Sequence, residues 1–346
     1  MTTKTPHAVA AAVAALLGST AAVSAAEFEF KLHHFLSATA PAQTAMLEPW
    51  AERIEAATDG RVNIEIFPSM TLGGRPPELI SQVRDGVVDL VWTTNGYTPG
   101  LFPRTEVFEL PTIFKNDPAA VNLAIDDVFD DMLAEEFQGV EVMFLHAHAG
   151  RGIHMRDTLV RSPADLAGKK IRIPTRTGAW TIEALGASPA AMPAPELPPA
   201  LQKGVVDGAF IPWEIIPALK VQDQTQYQIE GHDEARWGST IFQVSMNKAR
   251  WDSLPEDIQQ AFRDASGREW LAEVGQIWRD VDDAGIKVAV EAGNEHIVLT
   301  EEETAAFDEV LAPVVDRWIE EVSSKGIDGQ ALVEAARAGI ADHATR

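Results

Sequence analysis

The chain has 346 residues, no cysteine, and 52 acidic against 28 basic side chains, so its formal net charge at neutral pH is −24. The absence of cysteine excludes disulfides, thiol nucleophiles and thiolate metal sites. The strongly negative charge argues against nucleic acid or an anionic membrane as a partner. A chain of this length is sufficient for two compact lobes.

The first 26 residues have the pattern of an export signal. A single lysine precedes the small, apolar run "AVAAAVAALLGSTAAV", and "SAAE" offers small residues for cleavage after Ala25 or Ala26. The run is too short and too rich in alanine for a stable membrane anchor. We therefore predict a signal peptide over residues 1–26. Export without disulfides is typical of a bacterial periplasmic protein.

Strands and helices alternate through the first half of the mature chain. Strands are predicted at 27–33, 61–67 and 87–94, where residues either alternate between apolar and polar or are continuously apolar. Helical spacing fills 42–60 and 76–86, and each of these segments ends at a glycine. This alternation predicts βαβ units and a largely parallel sheet.

The second half repeats this organisation. Strands are predicted at 140–148, 169–174 and 205–212, with helical segments between them. The stretches "RDGVVDLVW" and "QKGVVDGAF" share Gly-Val-Val-Asp, at 86–89 and 204–207, in the same helix–strand context. We therefore predict two similar α/β lobes.

A strand at 239–247 is followed by the segment 254–293, which carries an apolar stripe at helical spacing. We predict one almost uninterrupted helix there, about 50 Å long at about 1.5 Å per residue, which would cross both lobes. The predicted domain organisation is a signal peptide (1–26), a first lobe (27–148 and about 238–270), a second lobe (149–237 and about 290–346) and the long spanning helix (254–293).

No catalytic signature is present in the sequence: G-x-S-x-G, a phosphate-binding loop and H-E-x-x-H are all missing. His146 and His148 would point to the same side of a strand, and His154 lies close in sequence. Metal ligation by these three is one interpretation. Because no carboxylate partner is evident, neutral histidines that line a cleft or a core are favoured. We predict neither an enzyme nor a cofactor.

The segment "KKIRIPTR" (169–176) concentrates four basic side chains in an acidic chain. On a strand, Lys170 and Arg172 would share one face. A buried arginine must be paired, and the residues alone allow two partners: an internal carboxylate such as Asp207 or Glu214, or the carboxylate of a ligand. The planar guanidinium suits two parallel bonds to a carboxylate.

Seven pieces of the mature chain resemble DctP-type solute-binding proteins of the tripartite ATP-independent periplasmic (TRAP) transporters. They are "SMTLGG" (69–74), "LISQVRDGVVDL" (79–90), "ELPTIF" (109–114), "SPADLAGKKIRIP" (162–174), "LGASPAAMP" (185–193), "ALQKGVVDG" (200–208) and "LPEDIQQAF" (254–262). The resemblance implies an α/β, two-lobed periplasmic-binding-protein (Venus flytrap) fold with a long helix across both lobes. It also implies a receptor that closes around a small organic acid and delivers it to a membrane permease.

The resemblance also implies roles for individual residues. Arg172, in the K-x-R-x-P motif, is expected to form the salt bridge to the ligand carboxylate, and Arg151 is expected to assist it. Polar ligand contacts are expected from four further residues: Thr175, His33, Thr94 and Asn95.

The chain departs from the sialic-acid-binding members of the family. Positions that match polar or aromatic ligand contacts in those members are here Ala194, Ile211 and Ile241. The aromatic walls of the pocket are expected from Tyr97, Trp180, Trp213 and Phe242. We therefore predict a small monocarboxylate with an apolar or aromatic body.

Two other functions remain open from the sequence. One is a periplasmic sensor that passes a signal to a membrane receptor, because the same fold serves both purposes. The other is a metal-dependent hydrolase that uses His146, His148 and His154. The sequence leaves the choice between monomer and dimer undecided.

Overall fold

The computed structural model describes residues 26–344, together with Thr2. Apart from Thr2 and Ala26, the predicted signal peptide therefore lies outside the described residues. Among the described residues, no helix has both the length and the apolar character needed to cross a membrane.

Two mixed sheets organise the described residues. The strands are β1 (Phe28–His33), β2 (Val62–Phe67), β3 (Leu90–Thr94), β4 (Val140–Ala147), β5 (Gly152–Met155), β6 (Lys170–Ile173), β7 (Ser188–Ala191), β8 (Gly208–Ile211), β9 (Tyr227–Glu230), β10 (Ile241–Asn247) and β11 (Glu295–Val298). The first sheet has the order β2-β1-β3-β10-β4, and the second has the order β11-β9-β5-β8-β6-β7.

The helices cover both sheets. They are α1 (Glu48–Ala57), α2 (Leu79–Arg84), α3 (Pro118–Val128), α4 (Arg176–Ala184), α5 (Leu197–Gln202), α6 (Ile216–Leu219), α7 (Lys248–Asp252), α8 (Glu256–Ala265), α9 (Arg268–Glu291), α10 (Glu301–Leu311), α11 (Pro313–Ser323) and α12 (Gly329–His343). Short 3-10 and π turns complete the chain, among them the turn Asn95–Tyr97 directly after β3.

Each sheet is parallel only in part. In the first sheet β1 pairs in parallel with β2 and β3, as the alternating pattern predicts, but β10 runs antiparallel between β3 and β4. In the second sheet β6 pairs in parallel with β7 and β8, and β5 runs antiparallel to β8 and β9. The antiparallel strands β5 and β10 each directly follow a segment in which the chain passes from one sheet to the other.

These crossing segments lie side by side. The chain leaves the first sheet after β4 and returns to it before β10. Between them, the amide of Arg151 donates to the carbonyl of Gly238 at 2.9 Å, and the amide of Trp237 donates to the carbonyl of Arg151 at 3.2 Å. The two crossings are thus hydrogen-bonded to each other where they join the lobes.

The prediction of a single helix over 254–293 is wrong in one respect. The structure has two helices, and the chain between them is extended at Gly267, with φ −74° and ψ −175°. Ser and Gly have low helix propensity, which favours a break here. The Ser266 hydroxyl also accepts a 3.0 Å hydrogen bond from the indole of Trp50.

The second of these helices, α9, has 24 residues and is therefore about 36 Å long. It packs against α3 and β4 beside the first sheet, and against α6 and β11 beside the second. The expectation that a long helix spans both lobes is therefore confirmed.

The predicted domain limits remain a prediction. The strands of each sheet fall within the segments predicted for each lobe. The last helix, α12, belongs to the segment predicted for the second lobe, yet it packs against α3 beside the first sheet.

The central strands of both sheets end at the space between the sheets. Every residue of β3 and β10 is buried, including the polar residues Thr93, Thr94, Gln243, Ser245 and Asn247. In α/β folds, ligands bind beyond the carboxyl ends of the strands. The carboxyl ends of β3, β6 and β8 here surround one cavity.

Candidate functional site

A cavity between the two sheets contains about 480 Å³ of space not filled by protein atoms. Its walls are mostly apolar, and besides the indoles of Trp92 and Trp278, six of its lining side chains can form hydrogen bonds or carry charge. Those polar side chains are Arg172, His148, Glu214, Tyr97, Thr94 and Thr240.

Arg172 is a buried cation that forms no ion pair with any described residue. Its side chain leaves β6 and is only 2% exposed. The Nε and Nη2 atoms donate to the carbonyl of Met192 at 3.0 and 2.8 Å, and none of the ion pairs between described residues includes Arg172. Burial lowers the pKa of Arg172, and the neighbouring hydroxyl of Tyr97 opposes that shift.

The internal carboxylates considered for Arg172 have other surroundings. Asp207 accepts a 2.8 Å hydrogen bond from the amide of Lys170, and Glu214 forms no ion pair with the arginine. Lys170 is exposed while Arg172 is buried, although the two were expected to share a face. Because a buried guanidinium is costly without a counter-charge, this arrangement favours an anion supplied from the cavity.

Parallel aromatic rings form one wall of the cavity. Phe242 stacks on Trp92, with ring centroids 4.9 Å apart and planes 6° apart. Phe35 stacks on the same indole at 5.0 Å and 13°, and Trp278 lies parallel to Phe242 at 6.3 Å and 10°. The ring of His146 is stacked between these groups, 5.1 Å from Phe242 and 5.4 Å from Trp278. Such flat, parallel faces suit a planar apolar body.

His148 reaches the cavity as a neutral ring. Its Nδ1 accepts the amide of Gly150 at 2.9 Å, so the proton resides on Nε2. Burial and then the proximity of Arg151 lower the pKa of His148 well below its ordinary value. This residue therefore contributes a hydrogen-bond donor and no charge.

Glu214 is the one carboxyl group among the described residues that line this cavity. It is 5% exposed, and its Oε2 has no hydrogen-bond partner in the described part of the chain. Burial first, and then the proximity of Asp282, raises the pKa of Glu214 well above its ordinary value.

The loop that carries Glu214 is held on the long helix. The amides of Trp213 and Glu214 both donate to Oδ1 of Asp282, at 2.8 and 3.2 Å. Oδ2 of Asp282 accepts from Arg236 at 3.0 Å, and Arg236 also pairs with Glu230. This buried network fixes the backbone at the end of β8.

Comparison with known proteins identifies the family. The model of the bacterial extracellular solute-binding proteins, family 7, named DctP, matches residues 32–321. The chain belongs to this family. It is thus a TRAP-type solute receptor, and the family consists of solute-binding proteins.

Relatives cover most of the chain. A C4-dicarboxylate-binding periplasmic protein of *Rhodobacter capsulatus* is 30% identical over 291 residues, which is 83% of this chain and 84% of the relative. A TRAP solute-binding protein from *Rhodoferax ferrireducens*, solved with copurified benzoate, is 35% identical with a TM-score of 0.88, covering 91% of this chain and 98% of that one.

A second solved structure comes from a marine metagenome. It is a TRAP solute-binding protein specific for aromatic acid ligands, in complex with 3-hydroxybenzoate. It is 35% identical, with a TM-score of 0.89, and the match covers 92% of this chain and 99% of that one. These matches confirm the two-lobed fold expected from the sequence.

Three of the predicted site residues of this DctP-family chain line the cavity: Arg172, Thr94 and Phe242. Thr94 Oγ1 also donates to the carbonyl of Ile241 at 3.2 Å, across from β3 to β10. Tyr97, predicted as an aromatic wall, lines the cavity as well.

Arg151 and Thr175 lie near the cavity but do not line it. Arg151 is fully buried, and its Nη2 donates to the carbonyls of Glu109 and Ser239. Thr175 caps α4, where its Oγ1 accepts the amide of Gly178 at 3.2 Å. Both side chains are therefore already hydrogen-bonded to backbone groups of the protein.

His33 and Asn95 are also engaged elsewhere. His33 donates from Nδ1 to Gln82 at 2.8 Å and accepts the amide of Leu72 at Nε2, at 3.3 Å. Asn95 Oδ1 accepts from Gln243 at 2.6 Å. Neither lines the cavity, since His33 is hydrogen-bonded to α2 and to the loop after β2, and Asn95 is hydrogen-bonded to β10.

Two of the predicted aromatic walls are elsewhere. Trp213 is completely buried behind the cavity, against His154 and the guanidinium of Arg236. Trp180, on α4, lies between Arg176 and Arg317, with their guanidinium carbons 5.0 and 4.7 Å from its ring centroid. The neighbours of Trp213 in sequence, Pro212 and Glu214, line the cavity instead.

The histidines considered for metal binding do not form a metal site. Among the described residues, no group of three or more His, Cys, Asp or Glu side chains is arranged to hold a metal ion. His146 accepts from the indole of Trp92 at 2.9 Å, and His154 donates to the carbonyl of Ile211 at 2.9 Å. Each ring has its own structural partner, so the hydrolase alternative lacks its ligand set.

Several wall residues were not predicted from the sequence: Phe35, Leu36, Trp92, Phe210 and Trp278. Trp92 and Trp278 fit the apolar pattern of a buried strand and of a helix stripe, and pattern alone does not separate a core ring from a cavity ring. The available signal was the position of Trp92 and Phe210 near the carboxyl ends of their strands.

Proposed function

We propose that this protein is the extracytoplasmic receptor of a TRAP transporter for a small aromatic monocarboxylate, which it delivers to the membrane permease. The observation that carries the proposal is Arg172, a buried cation with no ion pair in the described part of the chain, at a cavity walled by parallel aromatic rings. The export signal predicted over residues 1–26 is in keeping with a periplasmic site of action.

The chemistry of the cavity supports a monocarboxylate in particular. One carboxylate of the ligand would form charge-assisted hydrogen bonds with the guanidinium of Arg172. The neutral Nε2–H of His148 is an additional, uncharged donor. A second charged carboxylate would meet the buried carboxyl group of Glu214 and no further cation among the described lining residues. A polyhydroxylated sugar acid would leave several hydroxyls against ring faces without partners.

The ligands of similar proteins support the aromatic body. The *Rhodoferax* protein holds benzoate and the marine metagenome protein holds 3-hydroxybenzoate. A *Bordetella bronchiseptica* protein, 29% identical with a TM-score of 0.83, was solved with bound mandelate, and the match covers 91% of this chain and 99% of that one. All three ligands combine one carboxylate with one aromatic ring.

The binding cycle requires no bond chemistry. The anion enters the open cleft and reaches Arg172, and closure of the lobes then excludes water and strengthens each charge-assisted bond. Tyr97, which follows β3 of the first sheet, accepts the amide of Ala194, beyond β7 of the second, at 2.8 Å. This bond joins the two sides of the cleft when it is closed. Ligand binding would shift the balance between open and closed forms.

Calorimetric titration tests the proposal. The mature protein, unfolded and refolded to remove any copurified ligand, is titrated with benzoate, phenylacetate, mandelate, succinate and glucuronate. We expect the aromatic monocarboxylates to bind and the other two acids to bind weakly or not at all. Arg172→Ala should cost at least about 3 kcal/mol, or more than about 100-fold in affinity, because the carboxylate loses its buried partner.

Lys170→Ala is the matched control, since it removes a positive charge from an exposed side chain of the same strand. It should change affinity by less than about threefold, because surface charges are screened. Equal binding by wild type and Arg172→Ala, or a preference for succinate or glucuronate, would contradict the proposal.

A further inference from the structure

We infer that Glu214 is a specificity-determining residue, which selects aromatic acids that carry a second, uncharged polar group such as a hydroxyl on the ring. This inference rests on the proposed function, because it concerns the same cavity. In this inference Arg172 binds the carboxylate of the ligand, and Glu214 forms a hydrogen bond with a polar substituent elsewhere on the ligand.

The first support is an unsatisfied polar atom. Oε2 of Glu214 is buried, lies in a side chain that lines the cavity, and has no hydrogen-bond partner among the described residues. Buried polar atoms in folded proteins almost always have a partner, and leaving one unpaired is costly. The other lining side chains near this loop, Pro212 and Ile215, offer no polar side-chain atom. A ligand atom is the partner that the cavity can supply.

The second support is the fixed position of the loop. Asp282 holds the two consecutive amides of Trp213 and Glu214, as described above. The helix also approaches this loop closely at Gly285, where an added Cβ would lie 2.1 Å from the carbonyl oxygen of Trp213. Both contacts hold the Glu214 backbone against α9. The carboxyl group is therefore presented to the cavity by a rigid support rather than by a mobile loop.

The third support is the charge around the carboxyl group. Glu214 forms no ion pair among the described residues, and Asp282, the acidic group whose charge acts on it, is already paired with Arg236. Both burial and this neighbour raise the pKa of Glu214, so that the neutral acid is favoured. A neutral carboxylic acid has one O–H donor and a carbonyl acceptor. It can therefore pair with a hydroxyl or a carbonyl of the ligand.

The test compares hydroxylated with unsubstituted acids. Calorimetry gives the affinities of benzoate, 3-hydroxybenzoate, 4-hydroxybenzoate and their methyl analogues, which match the hydroxyl in size. For wild type we expect at least one hydroxybenzoate to bind about tenfold more tightly than benzoate and than its methyl analogue. Glu214→Leu should remove this preference.

Two variants make the comparison specific. Glu214→Gln has nearly the shape of the protonated acid and both a donor and an acceptor, so most of the hydroxyl preference should remain. Lys170→Ala, which changes an exposed side chain outside the cavity, should leave the ratio of affinities unchanged. Circular dichroism establishes that each variant is folded.

The outcomes separate the two claims. If aromatic acids bind in an Arg172-dependent manner but wild type shows no hydroxyl preference, or Glu214→Leu retains it, the inference is overturned and the proposed function stands. If no aromatic acid binds to wild type, the proposed function fails, and the inference fails with it. If Glu214→Leu does not fold, a wild type without a hydroxyl preference still overturns the inference, and Glu214→Ala replaces Glu214→Leu as the variant that must lose the preference.

Discussion

At the scale of single residues, the cavity is surrounded by ionisable groups that burial holds in one protonation state. Burial lowers the pKa of His146 and of His154 to about 3 in each case. The Nε2–H of His154 donates to the carbonyl of Ile211, a lining residue, while its Nδ1 has no partner among the described residues. A proton added to this ring would therefore be a buried charge, whose cost outweighs the opposing hydrogen bond with Gln228.

This predicts a specific acid sensitivity. The folded pKa of His154 lies below the unfolded value of 6.5, so the unfolded chain binds the extra proton first as pH falls. The neutral ring thus contributes stability that is fully present above about pH 6.5 and is lost as pH falls toward 3. Between pH 6 and 4, wild type should lose up to about 1.4 kcal/mol per pH unit more than His154→Gln, whose amide replaces the Nε2–H donor.

Urea unfolding of both proteins at several pH values measures this difference. Subtracting one curve from the other removes the contribution of the carboxyl groups, which the substitution leaves in place. Parallel curves for the two proteins would show that His154 is not held neutral by the fold.

At the scale of elements, the lobes meet where a turn of the first sheet touches a helix of the second. A Cβ built on Gly96, in the turn after β3, would lie 2.1 Å from Cγ2 and 2.7 Å from Cβ of Thr175. Thr175 is fixed as the N-cap of α4, since its hydroxyl accepts the amide of Gly178. The two elements therefore approach each other more closely than any side chain at position 96 would allow.

Gly96→Ala should therefore act as a wedge between the lobes. We expect affinity for the best aromatic acid to fall by about tenfold or more, because closure must displace Thr175, while each lobe keeps its fold. Gly267→Ala is the control, since its added methyl would lie no closer than 3.7 Å to the nearest backbone oxygen. Calorimetry measures the affinity of both variants, and far-ultraviolet circular dichroism checks that they are folded. Unchanged affinity in Gly96→Ala would mean that the contact between Gly96 and Thr175 does not form in the bound state.

The elements also show where sequence patterns suffice and where they do not. The periodicity of β1, β2 and β3 predicts their places and their parallel pairing, because a helical segment separates each strand from the next, as in a βαβ unit. The antiparallel course of β5 and β10 was not predictable from local patterns, since it depends on which sheet the chain enters next. The break at Gly267 was missed because the apolar stripe continues on both sides of it.

The candidate site shows the same limit at the level of side chains. Arg172 was predictable because a basic residue in a buried strand needs a partner and because its motif resembles that of the family. Arg151 and Asn95 have polar side chains at plausible positions, yet their hydrogen bonds go to Glu109, Ser239 and Gln243. Only the tertiary structure shows which polar groups are already satisfied and which, like Oε2 of Glu214, are not.

At the scale of the whole molecule, one cavity lies where two lobes and a long helix meet. β3 and β10 of the first sheet supply Trp92 and Phe242, β6 and the loop after β8 in the second supply Arg172 and Glu214, and α9 supplies Trp278. No single lobe contains both the cation and the full aromatic wall. The anion and the ring of a ligand are therefore both bound only when the lobes are closed. Ligand binding is thereby coupled to the shape of the surface that a permease would contact.

The most direct test is a crystal structure of the wild-type protein grown with benzoate. We expect both carboxylate oxygens within about 3 Å of guanidinium nitrogens of Arg172, and the benzoate ring against the faces of the Trp92 and Phe242 wall. A carboxylate bound elsewhere, with Arg172 still donating only to the carbonyl of Met192, would contradict the account.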